Sequence, residues 1–350
     1  MNKIIFIAIL LAIFGCNQTN KKKSSTNVEN IKETDKSANN NGFVDYAEDP
    51  VVLTMGADGE FDAGALGSMT IVKVAGVYHM YYEAWARLTH LGGQNGEGDD
   101  YVSLQIGHAT STDGIKWDKD PNNPVIPVGD KGEWDEDGTW DPFVIYEDGI
   151  FKMWYGGGVG SHCDWGYATS TDGVNFEKKG QISHSGDLED IHVVHNPFND
   201  KYYLYCWNRK KALWNDVMDS IPPHPSGLFV SISDNETDFD FDNAQRIEIK
   251  GQEWPAKYSH VIREEDAWVM IYGEAVTRGN GSSTGIATSS DLIHWEKRAF
   301  PVVKGHDAEI VKMGEDEWYL YYGPYAHFDW PNCDIRLATY KGKLSDLFED

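Results

Sequence analysis

The sequence predicts an all-β protein, a five-bladed β-propeller whose N-terminal strand closes the last blade. Three observations predict it. A turn followed by an alternating, aromatic-rich strand recurs as GVYHMYYEA (76–84), GIFKMWYGG (149–157), DKYYLYCWN (200–208), DAWVMIYGE (266–274) and DEWYLYYGP (316–324). Beyond each copy stands a second signature: IGHATSTDGIKW (106–117), GYATSTDGVNF (166–176), LFVSISDNETDF (228–239), GIATSSDLIHW (285–295) and the shortened IRLATYKG (335–342). Lastly, the fifth unit stops before a fourth strand, while D49-P-V-V-L-T-M-G56 near the N-terminus resembles N123-P-V-I-P-V-G129, the fourth strand of the first unit.

Each element follows from local chemistry. Period-two alternation of Tyr, Trp, Val and Met suits a half-buried strand, and an Asp-centred turn before an aromatic residue joins two antiparallel strands. Asp113, Asp172 and Asp291 are expected to hydrogen-bond their own turns. A four-stranded meander repeated at a spacing of roughly 50 to 70 residues matches radial repetition around a channel. A linear stack of the same units would have no use for a strand lent from the other end of the chain.

Residues 1–16 are expected to be a lipoprotein signal peptide. Lys3 precedes an apolar run too short to span a bilayer, and Cys16, after Gly15, is the expected lipidation site. Residues 17–48, rich in Asn, Lys and Ser, are expected to form a disordered tether, leaving 49–350 as the propeller. The predicted location is the bacterial cell envelope, lipid-anchored at the outer membrane or in the periplasm. The other cysteines, Cys163, Cys206 and Cys333, match no metal-binding spacing. A formal charge of −26 leaves no basic stripe for phosphate backbones and argues against nucleic acid. An aromatic content of 13% suits either a ring-rich core or a carbohydrate-facing surface.

In a propeller the first strand of each blade lines the channel, so residues at its upper end converge from all blades. Those ends read F61-D-A-G-A-L-G-S-M-T-I-V, W140-D-P-F-V-I, L188-E-D-I-H-V-V, K257-Y-S-H-V-I and H306-D-A-E-I-V. Four of the five carry carboxylates, and the other carries His260. Acids crowded at one mouth are unfavourable unless they bind something or share protons. The first two ends align without a gap, pairing Asp62 with Asp135 and Ser68 with Asp141. Glu189 and Asp190 are neighbours on one strand, so one of them faces inward, and Asp190 shares the register of Asp141.

On these strand-end acids, the S-T-D-G-x-x-W hairpins and the G-x-Y-x-M-Y-Y strand, residues 49–344 resemble the five-bladed propeller glycosidases, the broad group of glycoside hydrolase families 32, 43, 68, 117 and 130. The resemblance implies three acids around a sugar at the channel mouth: a base or nucleophile on blade one, an orienting aspartate on blade two and a general acid on blade three. By position these are Asp62, Asp141 and Glu189 or Asp190, with Asp190 the first choice for its register, and Glu309 as a last-blade acid. Paired carboxyl groups suit glycoside cleavage because one protonates the leaving oxygen while the other activates water or attacks carbon. Glu189, His192, His260, Trp140, Asp307 and Arg87 are the expected substrate contacts, although a lone histidine is as readily a satisfied core residue.

The expectation is therefore an extracellular poly- or oligosaccharide hydrolase, exo-acting and inverting, that needs no cofactor. The acids would tolerate a structural calcium, though no D-x-D-x-D-G loop announces one. The alternatives are a non-catalytic carbohydrate-binding propeller and a glycoside phosphorylase, the latter needing cationic side chains around a phosphate beside the acids. The connections between second and third strands, which carry Arg87, Arg209 and Lys210, are expected to roof the site.

Overall fold

The computed structural model describes residues 42–87, 101–159, 163–184, 188–208, 227–252, 256–274, 283–299, 302–324 and 334–348. The signal, Cys16, nearly all of the tether, Cys333 and most of the roofing connections, with Arg209 and Lys210, lie outside them. Among the described residues no helix is long and apolar enough to cross a membrane.

The chain opens with β1 (Val44–Asp45) and β2 (Val51–Leu53). Blade one is β3 (Ala65–Val74), β4 (Val77–Arg87), β5 (Tyr101–Ser111) and β6 (Asp118–Lys119). Blade two is β7 (Gly138–Glu147), β8 (Ile150–Gly158), β9 (Asp164–Ser170) and β10 (Glu177–Gln181). Blade three is β11 (Leu188–Asn196), β12 (Lys201–Asn208), β13 (Gly227–Ser233) and β14 (Gln245–Arg246). Ahead of blade four comes β15 (Ile249–Lys250), which pairs in parallel with the outermost strand of that blade. Blade four is β16 (Ala256–Glu264), β17 (Ala267–Glu274), β18 (Ser283–Ser289) and β19 (Trp295–Ala299). Blade five is β20 (Gly305–Gly314), β21 (Glu317–Pro324) and β22 (Ile335–Lys341).

Both β1 and β2 pair antiparallel with β22, so the ring is closed by a lent strand broken into two pieces. The closure begins earlier than residue 49: Phe43 is already buried in the core, against Tyr340. The inner strands β3, β7, β11, β16 and β20 contact one another in cyclic order and enclose the channel.

The core is five apolar layers, one between each pair of neighbouring blades. The repeated second strand supplies them. Met80, Met153, Leu204, Met270 and Leu320 are fully buried, as are Trp154 and Trp318, and each such side chain contributes roughly 2–3 kcal/mol of burial. The aromatic after the Met or Leu also reaches across. Tyr81 donates to the Gly173 carbonyl (2.8 Å), Tyr205 to Leu292 (2.6 Å) and Tyr321 to Gly114 (2.7 Å), and the Trp154 indole donates to Glu236 (2.8 Å). Each acceptor belongs to the hairpin after the third strand of the next blade, centred on an aspartate in blades one, two and four and on Asn235 in blade three. Those hairpins are held as expected: one carboxylate oxygen of Asp113, Asp172 and Asp291 accepts two successive backbone N–H groups.

Candidate active site

Every inner strand is irregular at the same place. Its pairing with the second strand skips at Leu66/Met69, Trp140/Phe143, Glu189/His192, Ala256/Ser259 and His306/Glu309. A bulge turns a strand and re-aims a side chain. Counted in register, one residue per blade stands at this point: Ser68, Asp141, Asp190, Tyr258 and Asp307. All five line a single cavity that opens to solvent, with Phe143, His192 and Glu309 also in its walls. The three aspartates have left-handed backbones, with φ of 44°, 53° and 50°. Non-glycine residues seldom adopt that region, and aspartate is among those that tolerate it, so three at one mouth mark a built feature.

Just above this ring the blades trade bulk between strands. In blade two Trp140 lies against Gly156, and in blade five His306 lies against Gly323. A β-carbon on Gly156 would fall 2.3 Å from the Trp140 indole nitrogen. Blade one reverses the pair. Gly67 is on the inner strand, and Glu83 comes over it from β4, its Oε1 2.9 Å from where a Gly67 β-carbon would be. Glu83 is buried, accepts the Trp85 indole N–H at 2.5 Å on Oε1 and accepts the Asp141 backbone N–H at 3.3 Å on Oε2.

The ring is electrostatically divided. Burial pushes Glu83 well above the carboxylate range, aided by Asp141 and Asp307. Burial likewise pushes Asp190 well above it; Lys257 opposes, while Asp141, Asp307 and Glu189 add to the rise. Asp190 Oδ2 is enclosed without a hydrogen-bond partner. Asp141 is raised to about 6, mainly by burial, with the Ser68 hydroxyl (2.5 Å to Oδ1) holding it down and Asp307 pushing it up. Burial would raise Asp307 too, but His306, 2.7 Å away, and Lys257 outweigh it and hold Asp307 below its usual value. Lys257 stays charged, because Asp190, Glu189, Asp307 and Asp141 overcome its own desolvation. One mouth therefore holds Glu83 and Asp190 biased toward the protonated form, Asp307 biased toward the ionised form, and Asp141 between them.

The expected residues do not all meet at the cavity. Asp141, Asp190, Asp307, Glu309 and His192 meet at the cavity, and of the Glu189/Asp190 pair it is Asp190 that lines it. Asp62 does not reach it. That carboxylate is buried against Lys119 Nζ (2.5 Å) and the Tyr82 hydroxyl (3.3 Å), just as Asp135 is against Lys178 (2.8 Å) and Tyr155 (3.2 Å). The matching pair identifies a scaffold acid, used twice.

His192, His260 and Glu309 share the next inward register position and bind backbone across blade joints. His192 Nε2 accepts from Val261 N–H (3.0 Å), His260 Nδ1 from Ile310 N–H (3.0 Å) and Glu309 Oε1 from Ile71 N–H (3.1 Å). Burial and His260 hold His192 well below the usual imidazole range, which favours the neutral ring, and its Nε2 also lies 3.2 Å from the Val261 carbonyl oxygen. These contacts tie neighbouring blades together at the channel. Trp140 covers Gly156 above the ring, and Arg87 ends β4 with its side chain outside the description.

The expected site left out Ser68, Lys257, Tyr258 and His306, all of them in the strand ends already aligned, and sequence reasoning missed Glu83. For Glu83 a signal existed: it stands where blades two, four and five carry Gly156, Gly273 and Gly323. Among the described residues no group of three or more His, Cys, Asp and Glu side chains is arranged to hold a metal ion.

No family model matches the sequence. A 1,2-beta-oligomannan phosphorylase of Thermoanaerobacter sp. is 24% identical over 300 residues, 79% of this chain and 91% of that one. Two uncharacterized proteins of Mycobacterium tuberculosis are 27% identical over 202 and 151 residues, and the chain spans 62% and 45% of their lengths. Among solved structures, the β-1,2-mannobiose phosphorylase of Listeria innocua in complex with β-1,2-mannobiose superimposes with a TM-score of 0.64. The identity is 16%, over 87% of this chain and 98% of that one. A thermostable family-43 glycoside hydrolase follows at 0.56 and 16%, over 81% and 91%. The chain thus has the five-bladed propeller fold found among glycoside hydrolase and phosphorylase structures.

Proposed function

We propose that the chain is a glycoside-cleaving enzyme, and that it hydrolyses an oligosaccharide or polysaccharide outside the cytoplasm. The observation that carries this is the meeting in one cavity of two carboxyl groups in opposed surroundings: Asp190, enclosed with an unpartnered Oδ2 and pushed upward by burial, and Asp307, held below its usual value by His306 and Lys257. A module that only binds sugar needs aromatic faces and amides, not carboxyls of opposed protonation.

In this reading Asp190 gives its proton to the glycosidic oxygen as the bond to the anomeric carbon breaks. Asp307 takes a proton from the water whose oxygen bonds to that carbon. Asp141, ionised above about pH 6, faces the cationic character that develops on the ring. Inversion and exo action remain the expected outcome by resemblance.

A second reading is supported by Lys257, which is charged among the acids, with His306 beside Asp307. Such a pair could hold a phosphate that attacks in place of water, as the names of the Thermoanaerobacter and Listeria proteins suggest for those proteins. The test is product analysis on β-1,2-mannobiose and on a panel of plant and marine oligosaccharides, with and without inorganic phosphate. Free sugar formed without phosphate supports hydrolysis, sugar 1-phosphate supports phosphorolysis, and turnover of nothing by wild type and by the Asp141→Asn variant alike supports a binding module.

The lipid anchor belongs to the same proposal. Metabolic labelling with an alkyne fatty acid should tag the wild type and not Cys16→Ala; equal tagging of both would refute it.

A further inference from the structure

The two carboxyl groups of Glu83 and Asp141 are in contact, and so close a pair cannot both be charged. Asp141 already accepts the Ser68 hydroxyl on Oδ1 at 2.5 Å, which favours its ionised form. Glu83 accepts the Asp141 backbone N–H at 3.3 Å, so it holds this residue by main chain as well as side chain, at the bulge where φ is 44°. The far side of Glu83 is pinned by the Trp85 indole at 2.5 Å.

Glu83 also has room made for it. Gly67 has no positive φ, so its backbone does not need glycine; a β-carbon there would lie 2.9 Å from Glu83 Oε1 and 3.0 Å from its Cδ. Blade one has exchanged the bulky inner-strand residue of blades two and five for a second-strand acid.

Resting on the glycoside-cleaving reading, we propose that Glu83 is a positioning residue for Asp141: as a neutral carboxylic acid it donates a hydrogen bond to the Asp141 carboxylate, clamps the Asp141 backbone N–H, and so keeps that carboxylate aimed into the cavity and charged. Nothing leaves or enters covalently, and the proton stays with the pair. The groups that face Asp141 are Ser68 on β3, Glu83 on β4, Glu189 and Asp190 on β11, Lys257 on β16 and Asp307 on β20.

The experiment compares wild type, Glu83→Gln, Glu83→Ala and Asp141→Asn on β-1,2-mannobiose and 4-nitrophenyl β-mannopyranoside, alongside carboxyl titration by infrared difference spectroscopy on the free proteins. Glutamine keeps a donor, so Glu83→Gln should retain most of kcat and the acid limb of the pH profile. Glu83→Ala should lose about 10²-fold in kcat with little change in KM, the loss expected of one misplaced group, and its acid limb should move to higher pH. The infrared titration of Asp141 should move upward in Glu83→Ala and not in Glu83→Gln, whether or not either sugar is a substrate.

Wild-type kcat and an unmoved Asp141 titration in Glu83→Ala would overturn the proposal. Full activity in Asp141→Asn would instead overturn the placing of the cleaving chemistry at this cavity, and absence of turnover in the wild type would overturn the glycoside-cleaving reading. An Asp141 titration that responds to Glu83→Ala in a protein with no cleaving activity would uphold the clamp and reject the chemistry assigned to it.

Discussion

Blades one and two are built on one plan down to single buried atoms, and they part company at one register position. The inner strands β3 and β7 share the same alternation of buried and half-exposed residues along their whole length. Asp62 with Lys119 and Tyr82 repeats as Asp135 with Lys178 and Tyr155. At the bulge, however, blade one presents Ser68 and lets Glu83 in over Gly67, whereas blade two presents Asp141 and fills the same place with Trp140 over Gly156. The repeated part is scaffold. The part that breaks the repeat converges on the cavity, and Ser68, Asp141 and Glu83 join the two blades through it.

The largest effect expected from breaking this contrast is at Asp141. Replacing it by Asn should lower turnover by about 10³-fold or more while the far-ultraviolet spectrum and melting temperature stay close to wild type. If Asp141→Asn and Asp190→Asn both turn over normally, the site is elsewhere.

The scaffold acids should do the opposite. Asp62→Ala and Asp135→Ala each leave a lysine without its buried partner, which should cost about 3 kcal/mol in denaturant unfolding, nearly equally in the two blades, with kcat per folded molecule unchanged. A kcat loss confined to Asp62→Ala would restore that residue to the site.

Steric reversal comes next. Gly156→Ala should destabilise by about 1–3 kcal/mol because Trp140 must move, whereas Gly67→Ala should displace Glu83 and shift the acid limb of activity upward.

Smallest is a linkage effect at Asp190. Its folded carboxyl is raised above the unfolded value, so the native state binds the extra proton, and stability falls as pH rises from about 4 toward the folded value. Asp190→Asn should flatten that slope and raise the melting temperature at neutral pH by a few degrees, the usual exchange of activity for stability. Activity of the wild type should itself be bell-shaped, rising through about pH 6 as Asp141 ionises and falling where Asp190 gives up its proton.

The blade repeat, the turn aspartates, the lent closing strand and the convergence of Asp141, Asp190, Asp307 and Glu309 were legible in the sequence, because strand period and turn chemistry are local. Asp62 misled for a related reason: alignment shows that two residues are equivalent, and equivalence to Asp135 marked it as scaffold, while the expected three-acid pattern drew it into the site. His192 and His260 were ambiguous, since nothing in a sequence shows which backbone N–H a ring nitrogen will meet in the next blade.

What the sequence determined by itself was thus the number of blades, their order and the register that aims one residue per blade at a common mouth. Only the tertiary structure decided which acids touch and in which direction burial and neighbouring charges push each of them. Those outcomes depend on desolvation and on charges brought together from strands as distant in the chain as β3 and β20, and on Glu83 entering from a second strand at a place where blades two, four and five carry glycine.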